Sequence, residues 1–336
     1  MAKKKALFMT ALLAVAFGLT ALVALLADKK EYAEERVCVT SFYPVFLLAD
    51  AVAEGVDGVT VQNLTENHSG CLHDYTLTTK DMRLLAQAEL LLINGGEMEL
   101  FLTKTADDYE NLTIVNTSEG YQFLEGVEHS HDHDEDKEQE AHGHDHEHEH
   151  ESEAVSEDGH DHAVNGHVWL DIDGYLLQLS AVEEALVKMN PAGEAGYREN
   201  AAACRKELSA LKEEFSLAKQ KLAGIETVVF HEGFVYLLRM LGMEAVHCLA
   251  MDADTQISAG EAAEIVEECK LHGIAVLFAE AEYVDNISET FGGETESVVV
   301  ALDALTGGEK SETPIMTYCN GMRNNLNAIL QAYGLQ

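Results

Sequence analysis

"TVVFHEGFVYLLRMLGMEAVHCL", residues 227–249, sets two short β-rich runs on either side of a compact apolar helix. TVVF (227–230) and EAVHCL (244–249) read as strands, and 234–241 reads as the helix between them. A strand, a helix and a second strand at this spacing form the repeating unit of a parallel α/β sheet. His231 comes directly off the end of the first strand. In open parallel sheets, ligands collect at that end.

The same rhythm runs outward in both directions. Downstream lie the strands IAVLFAE (274–280) and SVVVAL (297–302), with helices expected near 258–272, 284–291 and 320–333. Upstream, RVCVTSF (36–42) alternates, and Pro44 opens an Ala-rich helix running to residue 53. VTVQNL (59–64), ELLLIN (89–94) and LTIVN (112–116) are further strands, separated by a helix capped at Thr78 or Thr79 and by a helical stretch over 97–106. Two four-strand α/β lobes follow from this pattern. Between them, 192–224 is a run of strong helix formers ending at Gly224, with Leu208, Leu211, Phe215 and Leu222 at helical spacing. One helix of about thirty residues is roughly 45 Å long, enough to bridge two lobes. The same pattern also suits one more packed helix.

Of 336 residues, 47% are apolar, enough for two cores. Twenty-one Lys and Arg against sixty Asp and Glu give a formal net charge of -39. Such a field repels nucleic acid and anionic lipid and suits a cationic ligand. Lys3, Lys4 and Lys5 precede an uncharged apolar run over 6–27, which reads as an export segment. Leu25 stands where a cleavage site wants a small residue, so a signal anchor is expected, with a cleaved signal peptide as the alternative. Either places the body outside the cytoplasm, at the cell surface or in a periplasm. The six cysteines form no Cys-x-x-Cys pair, which argues against a zinc ribbon or a thioredoxin-type site and leaves disulfides open.

Residues 129–162 hold ten of the sixteen histidines, interleaved with carboxylates. Such a tract binds metal but defines no single geometry. Six histidines lie outside it. His73 sits in the loop after the second strand, His167 in NGHVWLDI, and His231 at a strand end, so all three can face a common cleft. His272 closes a helix, where bonding to terminal carbonyls is the simpler account; His247 lies within a strand and His68 in a loop.

Several segments together resemble the zinc- and manganese-specific solute-binding proteins of ABC importers. They are TSFYPVFLLADAVA (40–53), CLHDYTLTTKDMRLLAQAELLLINGGEME (71–99), NGHVWLDI (165–172), VVFHEGFVYLLRMLGME (228–244) and LFAEAEY (277–283). The resemblance covers nearly all of the chain after residue 36 and includes the His-rich insertion. It implies two (βα)4 lobes with parallel sheets, joined by a long rigid helix, and a metal site in the cleft between them. By motif it carries over His73, His167 and His231 as ligands, with Asp303 in ALDAL as a fourth and Glu280 in FAE as a further candidate.

Three imidazoles and a carboxylate or water suit four-coordinate Zn2+. Manganese, favoured by oxygen-rich sets, is the alternative cargo. Affinity should fall below a pH of about 6.5, where histidine takes up protons. Domain limits follow as 1–28 for the signal, 35–188 for the first lobe with its His-rich loop at 128–163, 190–224 for the helix and 226–336 for the second lobe. The implied partner is the permease of an ABC importer, with membrane anchoring through the N-terminus if the signal is uncleaved.

Two departures stand out. Relatives carry Pro before the HDY histidine and Asp-Pro before HVWL, where this chain has Leu72 and Asn165-Gly166, so its ligand loops lack that stiffening. Rival readings are a surface zinc buffer or adhesin built on the tract, and a zinc hydrolase with Glu232 or Glu280 as base. No compact catalytic motif such as His-Glu-x-x-His supports an enzyme.

Overall fold

The computed structural model describes residues 35–66, 72, 75–102, 109, 111–126, 164–251, 257–291 and 293–335. The export segment, the His-rich stretch, His68, Cys71 and His73 fall outside the described residues. Among the described residues, no helix is long and apolar enough to cross a membrane.

The first sheet contains β1 (Arg36–Thr40), β2 (Val59–Asn63), β3 (Leu90–Ile93) and β4 (Thr113–Asn116) in the order β2-β1-β3-β4. All three pairings are parallel. α1 (Tyr43–Ala53) connects β1 to β2 and starts with Pro at its first turn, where no intrahelical N–H is needed. α2 (Thr79–Leu85) leads into β3 and is started by a capping box between Thr78 and Asp81. The stretch expected to be helical over 97–106 is different. Gly95, Gly96 and Glu97 all have positive φ, and the described part holds only a 3-10 turn at Leu100–Leu102. A two-stranded antiparallel ribbon, β5 (Leu124–Glu125) with β6 (Val164–Asn165), follows β4. A 3-10 turn (Val168–Leu170) then leads into α3 (Ile172–Met189).

α4 (Glu194–Leu222) is the 29-residue helix expected from composition, preceded by a 3-10 turn at Pro191–Gly193. Its buried side chains are Tyr197, Ala201, Cys204, Leu208, Leu211, Phe215, Ala218 and Leu222, an unbroken stripe at alternating four- and three-residue spacing. Burying each of the larger ones contributes roughly 1.5–3 kcal/mol. The helix is therefore both spine and packed element, lying against α1 and α3. It also meets α5 (Phe234–Leu241) and α8 (Pro314–Ala332).

The second sheet has β7 (Glu226–Val229), β8 (Glu244–Cys248), β9 (Val276–Glu280) and β10 (Val298–Leu302) in the order β10-β9-β7-β8. This repeats the topology of the first sheet, and again every pairing is parallel. α5 joins β7 to β8, α6 (Ala259–His272) joins β8 to β9, and α7 (Val284–Phe291) joins β9 to β10. α5 and α6 both end on left-handed glycines, Gly242 and Gly273, whose φ values of 67° and 64° other residues resist. α8 starts at Pro314 rather than near 320, as Pro at its first turn allows. In each sheet the first strand is flanked by the second and the third, so the crevice rule points to the carboxyl ends of β1 and β3 and of β7 and β9.

One apolar core is common to both sheets. Leu90 and Leu92 of β3 belong to the same buried cluster as Val229, Phe278 and Leu302 of the second sheet, together with Trp169, Tyr175 and Tyr318. The rings of Tyr175 and Tyr318 stack at 3.8 Å. The five described cysteines, Cys38, Cys204, Cys248, Cys269 and Cys319, are free thiols.

Candidate metal centre

Two of the expected histidines meet. His167 precedes the Val168–Leu170 turn of the first lobe, and His231 follows β7 in the second. Their rings lie edge to face with centroids 4.7 Å apart. Both are buried, at 1% and 3% exposure. Burying two imidazoles together is costly unless their nitrogens are satisfied. The surrounding groups supply partners.

His167 Nδ1 lies 3.0 Å from Asn165 Oδ1 and 3.3 Å from Glu232 Oε1. The Asn165 amide is oriented by its other contacts: Oδ1 accepts the His167 backbone N–H, and Nδ2 donates to the Glu232 carbonyl at 2.8 Å. An amide oxygen only accepts, so Nδ1 carries the ring proton and Nε2 keeps its lone pair. His231 is arranged the other way. Its Nδ1 accepts the Gly233 N–H at 3.1 Å, which places the proton on Nε2. Coordination through that nitrogen requires the proton to move.

Gly233 explains how the rings approach. A Cβ there would stand 2.9 Å from His167 Cγ and Cδ2 and 2.9 Å from His231 Cε1. Gly166 is also a close-approach position, since a Cβ would lie 2.4 Å from the Gly96 carbonyl. Packing thus tethers the loop that the missing proline would have stiffened. The loop is held further by Asn94 Nδ2, which donates to the Gly166 carbonyl at 2.9 Å. Tyr236 of α5 donates to the Asn165 carbonyl at 2.8 Å. Trp169 packs against His167 and donates its indole N–H to Ala304 O at 2.7 Å, another bond between lobes.

Glu99 lies in the loop after β3. Its carboxyl accepts the N–H groups of Asn94 at 2.7 Å and Gly95 at 3.0 Å. Burial nonetheless pushes its pKa from 4.5 to about 7, against the lowering effect of those bonds.

The other expected residues are placed as follows. Asp303 is exposed in the loop after β10, where Oδ1 accepts the Leu305 N–H at 2.7 Å. It lines a cavity of about 550 Å³ with Tyr43, Leu47 and Tyr318. Glu280 ends β9, half-buried and in register with Leu302. Among the described residues, no group of three or more His, Cys, Asp and Glu stands together in a metal-holding arrangement. His73 is outside the described residues, but its neighbour Leu72 is fully buried in the core that contains Trp169. His272 contacts Glu226 at 3.0 Å and Glu268 at 3.2 Å, so its partners are carboxylates rather than terminal carbonyls. Reading by spacing missed Asn165, Gly233 and Glu99. Glu232 was noticed only as a possible base.

Two imidazoles bound to one tetrahedral ion at about 2.0–2.1 Å hold their centroids roughly 5 Å apart. The observed 4.7 Å fits such a pair.

Comparison with known proteins agrees with the fold. The chain is 26% identical over 331 residues to the zinc-binding protein AdcA of Streptococcus pyogenes, covering 97% of this chain and 61% of that protein. It therefore spans about three-fifths of the length of that relative. It is also 26% identical over 294 residues to the high-affinity zinc uptake system protein ZnuA of Bacillus subtilis, covering 87% of this chain and 85% of the relative. Among solved structures, Zn(II)-bound AdcA from Streptococcus pneumoniae superposes with a TM-score of 0.67 at 21% identity, covering 89% of this chain and 57% of that one. The family described as "ZnuA: Zinc-uptake complex component A periplasmic" matches residues 38–332, and the chain belongs to it.

Proposed function

We propose that the protein captures one Zn2+ ion outside the cytoplasm and delivers it to the permease of an ABC importer. The observation that carries this reading is the buried pair of His167 and His231, brought from two lobes to 4.7 Å. Membership of the zinc-uptake family supports the same cargo. His73 is the third ligand in this reading, and the fourth position is taken by Asp303, Glu280 or water. A nitrogen-rich set of this kind favours zinc over manganese.

The division of the chain belongs to the same proposal: an export segment at 1–28, a first lobe at 35–188, a linking helix at 190–224 and a second lobe at 226–336. The export segment keeps the body extracytoplasmic, as an anchor or as a cleaved signal. The His-rich loop at 128–163 acts as a low-affinity collector that raises the local metal concentration. The protein is a carrier, not a hydrolase. Glu232, whose carboxyl stands 3.3 Å from His167 Nδ1, is engaged with that ring rather than with a substrate in this reading.

Zinc titration of the full chain tests the reading, alongside His73→Ala, His167→Ala, His231→Ala and a deletion of 129–162, with manganese as competitor. One tight site should survive the deletion and be lost in each histidine variant. A tight site that vanishes with the tract, or that persists without His167 and His231, would overturn the assignment.

A further inference from the structure

Residue 232 grips the His167 loop at two points. Its carbonyl accepts Asn165 Nδ2 at 2.8 Å, and its side-chain Oε1 stands 3.3 Å from His167 Nδ1. Both grips cross between lobes, because Glu232 follows β7 whereas Asn165 ends β6. Glu232 is only 8% exposed, and a carboxyl is costly to bury unless it has work to do or partners to satisfy it. It is also the chain neighbour of His231. The residue that places one ring of the pair is thus continuous with the residue that steers the other.

We propose that Glu232 is a positioning residue for metal capture, holding the first lobe's His167 from the second lobe so that Nε2 faces the ion. This rests on the reading of His167 and His231 as ligands. A carboxyl oxygen against the distal nitrogen of a ligating imidazole fixes the ring's tautomer and orientation and raises its basicity. Asn165 Oδ1 shares that nitrogen but is neutral and belongs to the same lobe as the ring. Through Glu232 the orientation of His167 depends on the other lobe being in place. When the lobes part at this point, His167 loses its carboxyl partner and Asn165 loses its acceptor together. The capture geometry is therefore assembled by lobe contact rather than carried by either lobe alone.

The test uses the full-length protein and three readouts: zinc affinity by competition with a chromophoric chelator, the absorption spectrum of bound Co2+, and the melting temperature of the metal-free protein. Glu232→Gln keeps the side-chain size and removes the charge. It should weaken zinc binding about ten- to a hundredfold and shift the cobalt bands. Metal-free melting should stay close to that of the wild type. Wild-type affinity together with an unchanged cobalt spectrum would overturn the proposal. His167→Ala and His231→Ala run in parallel, and retention of the tight site in both would instead overturn the ligand assignment beneath it. If Glu232→Gln does not fold, Glu232→Asp carries the test, since its shorter carboxyl cannot reach Nδ1. The same loss is expected there, and wild-type behaviour would be equally fatal.

Discussion

Replacing Gly233 by Ala should damage the metal centre more than the fold. The backbone at Gly233 has φ -59° and ψ -29°, which any residue adopts, so the substitution carries no conformational strain. What it adds is one methyl group, 2.9 Å from atoms of both His167 and His231. Ordinary carbon contacts begin near 3.4 Å, so the rings must give way by a total of about 0.5 Å at each contact. In the metal-free protein the rings give way against their hydrogen bonds and packing alone. In the proposed zinc-bound state both would also be held by the ion, where ligand distances tolerate only about 0.2 Å. Overpacking of this size costs about 1–3 kcal/mol, and here it falls mainly on the bound state. At about 1.4 kcal/mol per decade, the zinc dissociation constant should rise roughly 5- to 140-fold. Competition titration gives that constant, and urea unfolding of the metal-free protein gives the remainder. Unchanged zinc affinity with normal folding would refute the idea that the two rings are set against this glycine as they bind.

Two further outcomes follow from buried titratable groups. Glu99 has its folded pKa raised from 4.5 to about 7, so the folded state keeps a proton that the unfolded chain has released. Stability from this group is complete below about pH 4.5 and is lost as pH rises towards 7, by on the order of 3 kcal/mol. Urea unfolding at several pH values should show that fall in the wild type and a flatter curve in Glu99→Gln; parallel curves would contradict it. Burial also pushes the Cys204 thiol up to about 11 and those of Cys248 and Cys319 to about 12. The native protein should therefore resist alkylation at these positions at pH 8 and react once unfolded, as mass mapping would show. Rapid native labelling of Cys319 would contradict its placement.

The strands were legible because parallel strands buried on both faces leave short apolar runs, and ELLLIN and TVVF are of that kind. His231 stood out because it leaves such a run, and His167 because it lies in a loop just after the tract, within the HVWL segment that carries the family resemblance. What escaped was everything defined by approach across the chain. Asn165 and Glu232 are 67 residues apart, and no local spacing announces their bond. Over its described part, 97–102, the helix expected at 97–106 gave way for a related reason. The Glu99 carboxyl turns back to capture the Asn94 and Gly95 N–H groups, and three positive φ values precede it. Side-chain capture of backbone donors competes with helix formation, and composition alone does not reveal which wins.

The apolar core shared by the two sheets has a consequence for signalling. Many binding proteins report occupancy by swinging two domains about a hinge, and their partners read the change of outline. Here a wide swing would break a buried cluster that holds residues of both sheets and part the Trp169 indole from Ala304 O, putting apolar surface into water at roughly 25 cal/mol per Å². The outline is therefore expected to change little with cargo. A docking permease would have to recognise a loaded molecule by something smaller: two positive charges arriving on a chain of formal net charge -39, and the order they impose on a few side chains at the cleft. Discrimination between full and empty carriers would then be a matter of local electrostatics, weakening as salt is raised, rather than of shape.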